Sequence, residues 1–205
     1  MRNKQRQRKV GGDVLFQYGF PASLVDDVEK VIKIMPTKTY HNVDIFMTGV
    51  IIKYFVNGTE IQLPYRIYCF EPPNYLVARL SKQQKMILHC IYSRNCNGFV
   101  REKHINALLS VNYEDWCIPY IVKVCDEYIV EILEKVYECL AGQDNENVKK
   151  FCIENKSALA KSYARMISYW NQYYRDRCCR YKNYIGHQLF VDYFGYTLLN
   201  GSCKL

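Results

Sequence analysis

The chain lacks the features that would assign it an activity at sight. It has no Gly-x-Gly-x-x-Gly, no Walker-type phosphate loop, no Gly-x-Ser-x-Gly and no His-Glu-x-x-His. No apolar run approaches the roughly 18 residues that a membrane-spanning helix needs. Six prolines and ten glycines in 205 residues exclude a collagen-like or low-complexity chain. Acidic residues are absent from positions 1–10, and a single acid, Asp176, stands among seven basic residues over 156–182. The ten cysteines include no Cys-x-x-Cys pair. The start, MRNKQRQRKVGG, is basic but is followed by no apolar segment of the length a secretory signal requires. Cytoplasmic residence and reduced thiols are therefore expected.

What is present is a globular composition. Apolar residues make up 49 % and charged residues 23 %, enough to bury a sizeable core. The net charge of +8 is concentrated in two places. One is the arm of residues 1–12, with Arg2, Lys4, Arg6, Arg8 and Lys9, which reads as a disordered basic tail. The other is the segment 156–182.

The expected fold class is α+β, predominantly α. Residues 13–73 read as a small α+β part and 74–205 as a helical domain. Ser23 is positioned to cap a helix over 22–35, with Leu24, Val28, Val31, Ile32 and Met35 as its apolar stripe and Pro36 as its end. Residues 44–70 read as a β-hairpin, because two β-rich runs flank Asn57-Gly58, a preferred type I′ pair. A two-residue turn sets Val56 opposite Thr59, Tyr54 opposite Ile61, Ile52 opposite Leu63 and Val50 opposite Tyr65. Continued along the strands, that register pairs Phe46 with Cys69. Pro64 marks an edge, since it brings no N–H to a ladder.

Beyond residue 81 the apolar period is helical. Ser81 with Gln84 forms a capping box for 82–94, Asn95–Gly98 turns, and 99–111 is the next helix, with Val100, Ile105, Leu108 and Leu109 inward. A continuous stripe predicts one helix from Pro119 to Leu140, with Asp126, Glu127, Glu131, Glu134 and Glu138 outside. Helices over 145–155, over 158–178 capped by Ser157, and over 183–194 complete the chain. The run Asn97-Gly98-Phe99-Val100-Arg101-Glu102, followed by Ile105, Leu108 and Leu109, resembles the turn and second helix of a HEAT-type repeat. The resemblance covers residues 81–111. It implies helix pairs that stack into a right-handed solenoid used for protein or nucleic-acid contact.

Two constellations merit a chemical reading. His89, Cys90, Cys96 and His104 are the nearest approach to a metal set, but their spacing fits no common zinc site. No cofactor, metal or catalytic residue is assigned. In 163–182, aromatic and basic residues interleave. Arg165, Tyr169, Trp170, Tyr173, Tyr174, Arg175, Arg177, Arg180, Tyr181 and Lys182 are the candidate partner-binding residues. Arginine forks match carboxylate or phosphate, and the rings can anchor a protein or stack on bases. The expected function is non-enzymatic protein binding, in the manner of an inhibitor or immunity-type protein that occludes its target. The alternative is nucleic-acid binding through the basic arm and 163–182. A Cys- or His-dependent enzyme ranks third.

Overall fold

A computed structural model of the chain describes residues 16–36, 46–47 and 50–196. The basic arm lies outside the described residues. The fold is α+β and predominantly helical. None of the described helices is long and apolar enough to cross a membrane. The chain forms two compact units, one of residues up to Tyr54 with Glu60–Leu108, the other of Phe55–Thr59 with the chain from Leu109 onward.

In the first unit, a 3₁₀ turn over Ala22–Leu24 leads into helix α1 (Val25–Ile34). Ser23 lies inside that turn and makes no capping bond, while Asp26 and Asp27 occupy the first turn of α1 as the helix dipole favours. Leu24, Val28, Val31 and Met35 are buried. Strands β1 (Phe46–Met47), β2 (Ile51–Val56), β3 (Thr59–Pro64) and β4 (Ile67–Tyr68) follow. Asn57 and Gly58 both have positive φ, 50° and 81°, as a type I′ turn demands. Tyr65 N–H donates to Val50 C=O, which fixes the predicted register at that pair. The predicted inner face is buried at Tyr54, Ile61 and Leu63, but Val50 at its far end is exposed.

Further out the register differs from the expectation. Phe46 pairs with Tyr68 and Met47 with Ile67, so Cys69 is not the partner of Phe46. Between the Val50–Tyr65 and Met47–Ile67 pairs, the first strand runs three steps and the second two. The register of the outer pairs is therefore offset by one residue from that of the hairpin. The edge predicted at Pro64 is covered by a buried arginine. Arg94 donates from Nη2 to Tyr65 C=O at 2.7 Å and from Nε to Pro64 C=O at 3.5 Å. Ile67 then bridges to Asn95 in parallel.

A short helix α2 (Asn74–Val77) precedes α3 (Lys82–Tyr92) and α4 (Gly98–Leu109). The Ser81–Gln84 capping box is present, and Gln84 also donates to Asp27 of α1 at 2.8 Å. Helices α1 and α3 pack together. The buried face of α4 holds Ile105 and Leu108 as predicted, and also Arg101 and His104. Arg101 Nη1 donates to the carbonyls of Asn95 and Cys96 at 2.9 and 3.0 Å, which holds the Asn95–Gly98 turn shut.

In the second unit, the single helix predicted over 119–140 is two. Helix α5 (Ile118–Val124) ends at Cys125, and α6 (Val130–Ala141) begins after Ile129, whose backbone is extended. Asp126 and Glu127, expected on the outer face, are buried, and Tyr128, expected on the apolar stripe, is exposed. The cause is polar. Asp126 accepts from buried Lys123, from Ser162 Oγ at 3.0 Å and from Arg165 Nη1 at 3.0 Å. A straight helix would turn that carboxylate outward.

Helix α7 (Glu146–Glu154) is followed by α8 (Lys156–Tyr169). Asn155, not Ser157, stands at the N-cap of α8, and its side chain does not cap. Instead its Oδ1 accepts from Phe55 N–H at 2.7 Å and its Nδ2 donates to Phe55 C=O at 2.7 Å. Glu154 accepts from the backbone N–H groups of Asn57 and Gly58. The last helix, α9 (Ile185–Asp192), packs on α6 and α8. Gly186 permits that approach, since a Cβ there would lie 2.9 Å from Met166 Cγ.

Candidate functional site

The predicted helix over 158–178 changes character partway. At Tyr169 the α-helix gives way to a π-helical turn, Trp170–Tyr174. A π turn carries one more residue per hydrogen-bonded ring than an α turn, so it rotates the side chains that follow. Here the rotation separates two neighbouring tyrosines. Tyr174 turns inward: its hydroxyl donates to Tyr128 C=O and accepts from Val130 N–H at 3.3 Å. That hydroxyl closes the break between α5 and α6. Tyr173 stays outside, 57 % exposed.

The same rotation assembles three rings. Tyr128 lies 5.9 Å from Tyr169 and 6.0 Å from Tyr173, and Tyr169 lies 6.1 Å from Tyr173. Such distances suit edge-to-face and offset contacts between aromatic rings. Tyr128 is itself 44 % exposed, so the cluster presents apolar ring surface to solvent. Arg175, Arg177, Arg180 and Lys182 follow within nine residues of Tyr173, and all four are exposed. Arg175 donates to Asn171 Oδ1 at 3.1 Å.

The ten sequence-predicted residues therefore divide. Arg165 serves the buried Asp126 carboxylate. Trp170 is half-buried, donates from its indole nitrogen to Cys178 C=O at 3.0 Å, and packs 4.9 Å from Tyr181. Tyr174 locks the α5–α6 break, and Tyr181 lies in the aromatic packing against Trp170, Tyr163 and His187. Tyr169, Tyr173, Arg175, Arg177, Arg180 and Lys182 remain for a surface role. Sequence reasoning missed Tyr128 because its place in a helical stripe hid it. Its ring becomes available only because the helix breaks there.

A second constellation lies in the first unit. His89 of α3 and His104 of α4 face each other, Nδ1 to Nδ1, at 2.9 Å. His104 Nε2 lies 2.9 Å from Glu71 Oε1, and Lys103 Nζ donates to the same oxygen at 2.6 Å. An ionised carboxylate only accepts, so His104 Nε2 donates. Neutral His104 then carries its lone pair on Nδ1, and His89 Nδ1 donates to it. Tyr92 stacks on the His104 ring at 4.9 Å, donates its hydroxyl to Phe70 C=O at 2.7 Å, and has the Cys69 sulfur 3.0 Å from its oxygen.

Burial sets the electrostatics of this cluster. It disfavours the imidazolium of His89, as does neighbouring His104, and the two push His89 from 6.5 down to about 4. Burial lowers His104 as well, against the opposing pull of Glu71. Glu71 is held below its ordinary value: burial would raise it, but the bonds from Lys103 and His104 outweigh that. Cys69 is pushed up to about 11, chiefly by burial, so it is a thiol at neutral pH.

The four residues weighed as a metal set do not converge. His89 and His104 meet, but Cys90 is fully buried elsewhere in the packing and Cys96 donates to Asn95 Oδ1. Among the described residues, no group of three or more His, Cys, Asp or Glu side chains is arranged to hold a metal ion. Sequence spacing gave no signal for the histidine pair, because the Asn95–Gly98 turn, not a motif, brings the rings together. No known family matches the chain, and neither a curated protein nor a solved structure matches it.

Proposed function

We propose that the protein is a non-enzymatic binding module that takes an acidic surface of another protein on its tyrosine–arginine face. The observation that carries this reading is the cluster of exposed Tyr128 and Tyr173 with half-buried Tyr169, followed along the chain by exposed Arg175, Arg177, Arg180 and Lys182. Rigid aromatic anchors with arginines around them are the residue types that dominate binding energy at protein interfaces. Tyrosine gives contact area at the cost of only two rotatable bonds, and arginine forks pair with carboxylates in a bidentate manner. The mechanism is occlusion, as an inhibitor or immunity-type protein in the cytoplasm would act. In this reading the HEAT-type helix pair over 81–111 is scaffold.

The test is capture from host lysate with and without nuclease, comparing the parent chain with Tyr173→Ala and with the triple change of Arg175, Arg177 and Arg180 to Ala. A protein partner that survives nuclease and weakens at least about tenfold on Tyr173→Ala supports the reading. A partner indifferent to both variants overturns it. A ligand lost with nuclease, and lost steeply as salt rises, establishes nucleic-acid binding instead.

A further inference from the structure

The hydrogen-bonded chain Glu71–His104–His89 ties three segments of the first unit. Glu71 lies in the stretch between β4 and α2, His104 in α4 and His89 in α3. The rings share one Nδ1 proton between two facing nitrogens. We propose that this chain is an acid-opened latch: it clamps α3, α4 and the Cys69–Pro73 segment together while at most one ring is charged, and it parts when both are.

Proton geometry decides the matter. A first added proton can settle on His89 Nε2 and leave both hydrogen bonds of the chain intact. A second makes both Nδ1 atoms donors, and two N–H groups cannot bond across 2.9 Å. The surrounding charges oppose that second proton. His89 is faced by Lys85 from its own helix, by Lys103 and His104 from α4, and by Glu71 from the connecting segment. His104 is faced by Glu71 and Lys103, with the Tyr92 ring stacked on it. With both rings neutral the local side-chain charge is two lysines against one carboxylate. With both protonated it becomes four cations against one carboxylate, in a place where His104 is only 4 % exposed. Arg101, one turn before His104, holds the start of α4 to the Asn95–Cys96 carbonyls, so α4 opens from His104 onward. Opening uncovers Tyr92 and, beside it, the Cys69 sulfur.

The full-length protein is labelled with 4,4′-dithiodipyridine, which reacts with thiols in acid, from pH 7.5 to pH 4. Each cysteine is then quantified by mass spectrometry. Exposed Cys179 is the internal reference. The expected result is a rise of at least about tenfold in the Cys69/Cys179 ratio on acidification, with Cys125 and Cys152 unchanged. His89→Gln keeps an N–H donor toward His104 but does not titrate, so it abolishes the rise. A constant ratio overturns the proposal. So does a rise shared by Cys125 and Cys152, which marks global unfolding, or one that persists in His89→Gln. Should that variant not fold, the imidazole Cε1–H resonances of the parent chain decide. Two coupled steps, the second well below the first, support the latch, and two independent titrations near 6.5 refute it.

Discussion

At the scale of single residues, the most consequential side chain outside the surface cluster is Asp126. It is 1 % exposed and accepts from Lys123, Arg165 and Ser162. Lys123 is equally buried, so removing the carboxylate leaves an ammonium in the core. Asp126→Ala is expected to cost about 3–5 kcal/mol in urea unfolding, because breaking one side of a buried pair strands the other. Arg165→Ala is expected to cost about 1 kcal/mol, since its side chain is 39 % exposed and Lys123 still pairs with Asp126. Equal losses for the two variants would show that Lys123 is not the dependent partner. The sequence could not disclose this. Asp126 and Glu127 fall on the outer face of the predicted helix, where acids read as solvated. The partners that hold Asp126 inside, Ser162 and Arg165, lie some forty residues away. The same holds for His89 and His104, whose chemistry arises from a contact that no spacing encodes.

At the scale of elements, local signals with local causes were legible. The Asn57-Gly58 turn, the Ser81–Gln84 capping box and the buried stripe of α1 each depend on residues a few positions apart, and each is present. Elements whose ends depend on tertiary partners were not. The helix over 119–140 breaks because Asp126 must face Ser162 and Arg165. The helix beyond Tyr169 widens into a π turn where Tyr174 reaches back to close that break. Periodicity alone extends both helices, since the apolar residues continue in register through the interruption. The hydroxyl of Tyr174 is thus the piece that joins the two irregularities. Tyr174→Phe is expected to destabilise the protein by about 1–3 kcal/mol, as it leaves Val130 N–H and Tyr128 C=O without that partner. It should also disorder the Tyr128 ring and so weaken partner binding without touching Tyr173. Amide exchange at Val130 and binding by calorimetry check both. Unchanged protection at Val130 would remove the π turn from the account of the surface.

At the scale of the whole molecule, charge and protonation are arranged so that acid works against the fold. The +8 net charge rises further as carboxylates and histidines take up protons, and self-repulsion grows with it. The histidine pair adds a specific contribution whose sign is fixed. His89 titrates near 6.5 when the chain is unfolded and near 4 when it is folded. Between those values the unfolded chain binds more protons, so stability falls as pH falls, and the contribution is complete above about 6.5. Conversion of that shift gives a loss of about 3 kcal/mol across the window. His104, also lowered, acts in the same direction, and Glu71, held down by Lys103 and His104, extends the loss at the acid end. Urea midpoints measured from pH 8 to pH 4 should therefore be flat above 6.5 and decline below it. In His89→Gln the decline should be shallower over that range, because a non-titrating donor keeps the bond to His104 Nδ1. A stability that holds level down to pH 4.5 in the parent chain would mean that His89 is charged in the folded state. The pair would then take up its first proton at no cost to the folded state, and the acid sensitivity of the fold would lose its basis.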